Sequence, residues 1–507
     1  MWVLDAYILC SIIELLCFPS LANAFGLLFS FIGILLSWQV LCHTYKLLYF
    51  PVSTIALLFY CLSFEILPLL VTLLEFKPIT YNLRNPYYTF ANLLFLQVVL
   101  LLIHSVYVYL VGKRNFVRNI LQKVNFFTNF SSQEIWFLII GSLVWYAYVM
   151  LTKGLYTEDN LNVNSGFSVV EWAISLFFSS YYQVVFIFYF KKFNNIKGHY
   201  TIHHLAIFVI AILVFIIGVG TNMRTAAVVA FANGIFSLFA YLLIFPEEQE
   251  SFFKPQYVAV FLILAIFFIG PFRYISEAMV AVRNERSGQT AVSVLSKTIG
   301  SAQIDDKTSL IEKRLGSLAW DERYISNPIF NRYCSLKILD ETLFHACRLN
   351  SADRHTMRLC LYLKILDQVP GKLKRALGIS HSTAEREYSL SDMLHYLSTR
   401  GRYDLGGIKI GSLPGLGYAL LGPWYALLLI PLYFAVFYLL DSITLYQNGR
   451  LIFPLLLFAS MIDYFAIFND RHFYLYEFRF IFRGFWETVI FYLISINIVK
   501  RLPFLKH

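Results

Sequence analysis

Apolar runs long enough, or nearly long enough, to cross a bilayer recur along the chain, separated by short polar stretches. They fall at 2–18, 24–43, 52–74, 88–111, 134–152, 168–190, 203–221, 224–245, 256–274, 416–440, 451–468 and 484–499. A helix rising about 1.5 Å per residue needs about twenty apolar residues to span the hydrocarbon layer. The pattern therefore predicts an all-α polytopic membrane protein with about twelve transmembrane helices. Basic residues in the short connections orient it. Lys113, Arg114, Arg118 and Lys123 follow the fourth run, Lys191, Lys192 and Lys197 follow the sixth, and Lys500, Arg501 and Lys506 close the chain. With twelve crossings all three clusters fall on one side, which the positive-inside bias makes cytoplasmic, together with both termini.

One stretch breaks the pattern. Residues 276–412 carry twenty Lys/Arg and fifteen Asp/Glu, close to half of each charge in the whole chain. Long loops are exempt from the positive-inside bias, so this stretch is predicted on the periplasmic face. Its periodic pieces at 336–349 and 357–368 read as short amphipathic helices. The predicted organisation is helices one to nine over 1–275, a large helical periplasmic loop domain over 276–412, and helices ten to twelve over 413–507.

Composition agrees with lipid as the solvent. The chain is 58% hydrophobic and only 14% charged, where a soluble domain carries about a quarter charged residues. The net charge of +10 lies largely in membrane-flanking loops, so no nucleic-acid partner is expected. Four cysteines (Cys10, Cys17, Cys42, Cys61) sit in apolar runs and three (Cys334, Cys347, Cys360) in the polar stretch, with no CxxC pair. No disulfide framework is indicated. Ala22-Asn23-Ala24 looks like a signal cleavage site, but no Lys or Arg precedes the first run and Asp5 and Glu14 interrupt it. It reads as a retained first helix.

Candidate chemistry concentrates at the outer interface. Glu65 is the clearest acid deep in an apolar run, either a proton relay or a hydrogen-bonded structural acid near the Pro68 kink. Arg224 opens the eighth run, Arg273 ends the ninth, Arg283 and Arg286 follow it, and Arg471, His472, Arg479 and Arg483 precede the last. His395, Arg400 and Arg402 lie just before the chain returns to the membrane. Positive charge is disfavoured in short outer loops, so its recurrence there calls for a reason. The arginines either snorkel or pair with Glu277, Glu285, Glu477 and Glu487, or converge on a diphosphate, which the guanidinium fork matches with two parallel hydrogen bonds. Arg483 and Glu487 have the spacing of a helical ion pair. There is no Walker A, GxGxxG, HExxH, GxSxG or Asp-x-Asp motif, and neither a metal nor a cofactor is expected.

Four features together resemble the bacterial O-antigen and oligosaccharide repeat-unit polymerases (the Wzy family). They are about twelve helices, a large outer loop before the last three, an arginine opening a mid-chain helix after a glycine-containing turn, and a His-then-Arg segment before membrane return. The Gly/Tyr-containing stretch from Gly411 to Pro423 is similar to that family's helix after the big loop. The resemblance implies a GT-C-type, metal-independent glycosyltransferase of the inner membrane. It would transfer an undecaprenyl-diphosphate-linked glycan onto a sugar hydroxyl of another lipid-linked repeat unit, with a chain-length regulator as a further candidate partner. It implies Arg224 and Arg273 on the diphosphate, joined by Arg283 and Arg402. His395, expected to be partly exposed on an amphipathic helix, would be the general base. An O-antigen ligase shares this layout and donor and stays open as an alternative. A polysaccharide flippase is the alternative from another class; it should lack a folded outer domain and show internal repeats.

Overall fold

The computed structural model describes residues 2–112, 114–152, 169–178, 180–193, 196–197, 200–220, 224–252, 318–367, 388–403, 405, 409–447, 449–460, 463–464 and 475–502, with isolated positions between 254 and 279. It is an all-α membrane protein in its main features. Among the described residues, five helices are long and apolar enough to cross a membrane: Leu21–Leu41, Pro51–Leu74, Pro86–Val111, Leu413–Ser442 and Leu475–Arg501.

In chain order the helices used below are α1 (Trp2–Cys17), α2 (Leu21–Leu41), α3 (Pro51–Leu74), α4 (Pro86–Val111), α5 (Phe116–Lys123), α6 (Ser132–Thr152), α7 (Val169–Phe178), α8 (His204–Gly220), α9 (Arg224–Ile244), α10 (Pro328–Tyr333), α11 (Leu336–Ala346), α12 (Ser351–Asp367), α13 (Leu390–Ser398), α14 (Leu413–Ser442) and α15 (Leu475–Arg501). Local chemistry sets many boundaries. Ser20, Asn85, Asn115, Ser389 and Ser412 each accept a backbone N–H of the helix they precede, satisfying a donor the first turn would leave unpaired. Pro51 and Pro86 occupy first-turn positions, where the missing N–H costs nothing. The periodic pieces of the polar stretch are indeed helical, as α11 and α12.

Two runs depart from the expected spanning helices. In the run at 168–190, α7 ends at Phe178 and a 3₁₀ helix occupies Tyr181–Tyr189. The run at 451–468 opens as a strand: β1 (Leu445–Gln447) pairs antiparallel with β2 (Arg450–Ile452), Tyr446 facing Leu451. Pro454 follows and starts only a five-residue helix, Leu455–Ala459. The strand pairing and the proline, which has no N–H to donate, keep the described part of this run from being one helix. The run at 256–274 lies outside the described residues apart from isolated positions. Helix α14 starts at Leu413 and bends at Gly422–Trp424, where Gly422 has φ +60°.

The core forms where α2, α3, α4 and α14 pack together. At its middle, α3 carries one π turn, Leu62–Ile66, a form that widens the helix locally. Glu65 lies in that turn, fully buried, with Oε2 accepting from Gln97 Nε2 at 3.3 Å. Gly33 of α2 makes room for it: a Cβ there would collide with both Glu65 Oε1 and Gln97 Oε1. Glu14 of α1 is also buried and accepts from Asn23 and from the Ile79 backbone, tying the first two helices to the 75–85 connection. All seven cysteines are free.

Candidate functional site

The connection 75–85, the segment 318–346 and the segment 390–412 meet at one end of the core. Helix α11 supplies the charge. Its Lys337, Asp340, Glu341 and His345 are spaced to share one face, and all four are buried. Arg84 forks onto Glu341, with Nε to Oε2 at 2.7 Å and Nη2 to Oε1 at 2.8 Å. Lys337 Nζ lies 3.0 Å from Glu341 Oε2 and 3.3 Å from Asp340 Oδ2. Asp340 accepts the backbone N–H groups of Arg84 and Asn85 and the Thr89 hydroxyl, and so caps the start of α4 from a distant part of the chain. Burial by itself would raise the Glu341 pKa, but His345, Arg84 and Lys337 outweigh it and hold the carboxyl at about 2. It is a carboxylate at any physiological pH.

The network continues outward through His345. Its Nε2 is 3.3 Å from Glu341 Oε1 and its Nδ1 is 2.7 Å from Ser398 Oγ. Trp320 stacks on the His345 ring at 5.1 Å, and the His395 ring stands edge-on to it at 4.9 Å. His395 is 2% exposed. Its Nε2 donates to the Leu318 carbonyl at 3.1 Å, which leaves Nδ1 as a buried lone pair without a hydrogen-bond partner among the described residues. Burial lowers the His395 pKa; the Leu318 carbonyl opposes this, and His345 and Lys409 add to the fall, leaving it at about 4. The imidazole is neutral at neutral pH.

In front of this histidine pair the chain turns sharply. Helix α13 ends at Ser398, then Arg400 (φ +58°) and Gly401 (φ +71°) take left-handed conformations; for Arg400 this is an uncommon geometry for a side chain with a Cβ. The turn swings Arg400 and Arg402 beside Arg348 around a cavity of 410 Å³, also lined by Leu318, Ser398 and Thr399. Arg400 reaches Asp353 at 3.2 Å but stays 64% exposed. Arg348 lies over the Phe344 ring at 5.5 Å. Arg402 is exposed and has no partner among the described residues. Three guanidinium groups, one carboxylate at the edge and two hydroxyls make a site suited to a phosphate-sized or larger anion, and its volume lies within the range of small-molecule pockets.

The sequence-predicted residues separate here. Arg402 is on the pocket rim. His395 is one layer behind the wall, and the expectation of a partly exposed histidine is corrected: Trp320, His345 and Tyr403 enclose its ring. Arg224 is the first residue of α9, but its side chain lies outside the described residues, as do Arg273, Arg283, Arg471 and His472. Arg483 and Glu487 form the expected pair at 2.7 Å, and Glu477 is buried and accepts from Tyr433 at 2.6 Å. Sequence reasoning missed Arg348, Ser398 and Thr399 on the pocket wall and the Arg84–Glu341 fork beneath it. Arg84 carried a usable signal, because it is a cation in a short connection on the predicted outer face. The chain matches no protein family, no curated protein and no solved structure.

Proposed function

We propose that the protein is a metal-independent membrane glycosyltransferase of the repeat-unit polymerase type. In this reading it crosses the bacterial inner membrane about twelve times and works at the periplasmic face on a polyprenyl-diphosphate-linked glycan. The arginine-lined pocket with the unpaired Arg402 is the observation that carries the reading. The topology draws support from which connections touch. Segments given one side by their basic residues meet each other: Phe130 with Ile196, and Lys500 with the Asn129 carbonyl. Segments given the other side do the same, through Arg84 and Glu341.

In the proposed step, the hydroxyl oxygen of the acceptor sugar attacks the anomeric carbon of the donor. The bond from that carbon to the diphosphate oxygen breaks, and its electron pair stays on the diphosphate. Arg348, Arg400 and Arg402 stabilise that charge without moving. The hydroxyl proton passes by way of the Ser398 hydroxyl to His345 Nδ1, while Nε2 of the same ring faces the Glu341 carboxylate. Arg224, Arg273 and Arg283 complete the proposed diphosphate set.

The test uses full-length protein in detergent and a polyprenyl diphosphate as ligand, beside polymer length in a complemented deletion strain. A charge-assisted hydrogen bond contributes about 1.5–3 kcal/mol, so Arg402→Ala should weaken binding about ten- to hundredfold. Arg402→Lys keeps the charge but loses the fork and should recover only part of that loss. Unchanged binding in both variants would remove Arg402 from the site and the pocket from the reaction.

A further inference from the structure

A second cavity of 410 Å³ lies at the opposite end of the bundle. Its polar wall is built from Asn125, Thr128, Asn129 and Asn497, and its cations are Lys197 and Lys500. Lys500 is tethered: its Nζ lies 2.7 Å from Glu134 Oε2 and donates to the Asn129 carbonyl at 2.5 Å. Lys197 is exposed and its ammonium has no partner among the described residues, while its backbone N–H, bonded to the Phe130 carbonyl at 2.7 Å, fixes the strip of chain that carries it. Two ammonium groups face one carboxylate, leaving a net positive site walled by amides and a hydroxyl. That is the chemistry of a phosphodiester with its glycerol oxygens.

The apolar surroundings say where such a group comes from. Helix α5 is amphipathic. Arg118 and Leu121 are buried under it, with Arg118 donating to the Tyr49 and Asp441 carbonyls. Phe116, Ile120 and Val124 run along its outer side at 71, 43 and 45% exposure. Helix α15 shows a second stripe, Ile490, Ile494 and Ile498, at the same helical spacing and also exposed. Both stripes run into this cavity, the first through Val124 in its wall and the second beside Asn497. In a membrane protein such stripes face acyl chains, and a basic cavity at the head of two of them has the layout of a lipid site. A soluble phosphate would use the lysines and leave the stripes unexplained.

We propose that this cavity binds the headgroup of an anionic phospholipid, its phosphate between Lys197 and Lys500 and its acyl chains along α5 and α15. The proposal is independent of the reaction assigned to the arginine pocket. It is tested on full-length protein in a neutral detergent by native mass spectrometry and by melting temperature. The probes are phosphatidylglycerol, phosphatidylcholine with the same chains, and inorganic phosphate. One phosphatidylglycerol should be retained per chain and raise the melting temperature, with phosphatidylcholine and phosphate doing neither. A surface cation contributes about a fivefold change in affinity for anionic lipid, so Lys197→Ala should weaken retention about fivefold and Lys197→Glu should abolish it. Melting without lipid should stay unchanged in both, because Lys197 is exposed. Arg358→Ala, at an exposed position of α12, should bind lipid as the parent does. Equal retention of the two phospholipids, equal protection by phosphate, or full retention by Lys197→Glu would each overturn the proposal.

Discussion

Two buried carboxylates do the same job at opposite ends of the core, and their surroundings differ. Asp441, at the end of α14, accepts the backbone N–H groups of Val52 and Ser53 at 3.0 and 3.1 Å and the hydroxyls of Ser53 and Tyr107 at 2.5 and 3.1 Å. It caps α3, whose own preceding residue, Phe50, has no side chain that can. The nearby Arg118 donates to the Asp441 backbone carbonyl rather than to the carboxylate. Asp340 caps α4 in the same way, but it sits beside Glu341; Lys337 pairs with both carboxylates and the Arg84 guanidinium with Glu341. A single carboxylate can be satisfied by neutral donors; two adjacent buried ones require countercharges. The Asp441 carboxylate is a closed lock: Val52, Ser53 and Tyr107, which donate to it, are all fully buried. The Glu341 end continues through His345 and Ser398 to an open pocket with more cations than anions. Buried charge alone therefore does not identify the site; its connection to an open cationic surface does.

The contrast makes graded predictions, all read as thermal unfolding in detergent. The largest loss is expected for Glu341→Ala, which removes the fork that holds the half-buried Arg84 and leaves the buried Lys337 with Asp340 alone, and should cost about 3 kcal/mol. A loss under 1 kcal/mol would mean that the ion pairs are not the reason this end holds together. Asp441→Asn keeps the size and half of the acceptors, and should cost about 2 kcal/mol, with ligand binding at the arginine pocket unchanged. If pocket binding fell with it, the two ends would be coupled and the contrast would fail.

Acidification separates the ends further. His395 and His345 both have folded pKa values below the ordinary 6.5, first of all because they are buried. The unfolded chain then takes up protons below pH 6.5 that the folded chain refuses, so stability is constant above that pH and falls as pH drops from 6.5 towards 4. The fall should be on the order of 1–3 kcal/mol and be blunted in His395→Gln. The Glu341 contribution is lost in a separate window, below pH 4.5 and down to about 2, because its folded pKa lies under its ordinary value. A stability profile flat from pH 6.5 to 4.5 would deny the burial of the histidines. Arg402→Ala should show the smallest effect, within about ±0.5 kcal/mol, as expected for an exposed side chain with no partner. A large loss would make it a structural residue.

What the sequence determined by itself was whatever rests on local order. Runs of apolar residues set the helices of α2, α3, α4 and α14 to within a few residues, because length in lipid and backbone hydrogen bonding act on consecutive residues. The i,i+4 spacing of Arg483 and Glu487 was enough to pair them. The His-then-Arg segment placed Arg402 near the pocket it lines. Tertiary structure alone decided the rest. Asp441 meets Ser53 across 388 positions of chain and Glu341 meets Arg84 across 257, and no local spacing encodes a partner so distant. It also decided that His395 is enclosed, because the Trp320, His345 and Tyr403 that cover it come partly from other segments, and that Arg348 joins Arg400 and Arg402 around one cavity. Hydrophobic patterning tells which residues leave water; which of the charged ones follow them depends on the countercharges that folding brings within about 3 Å.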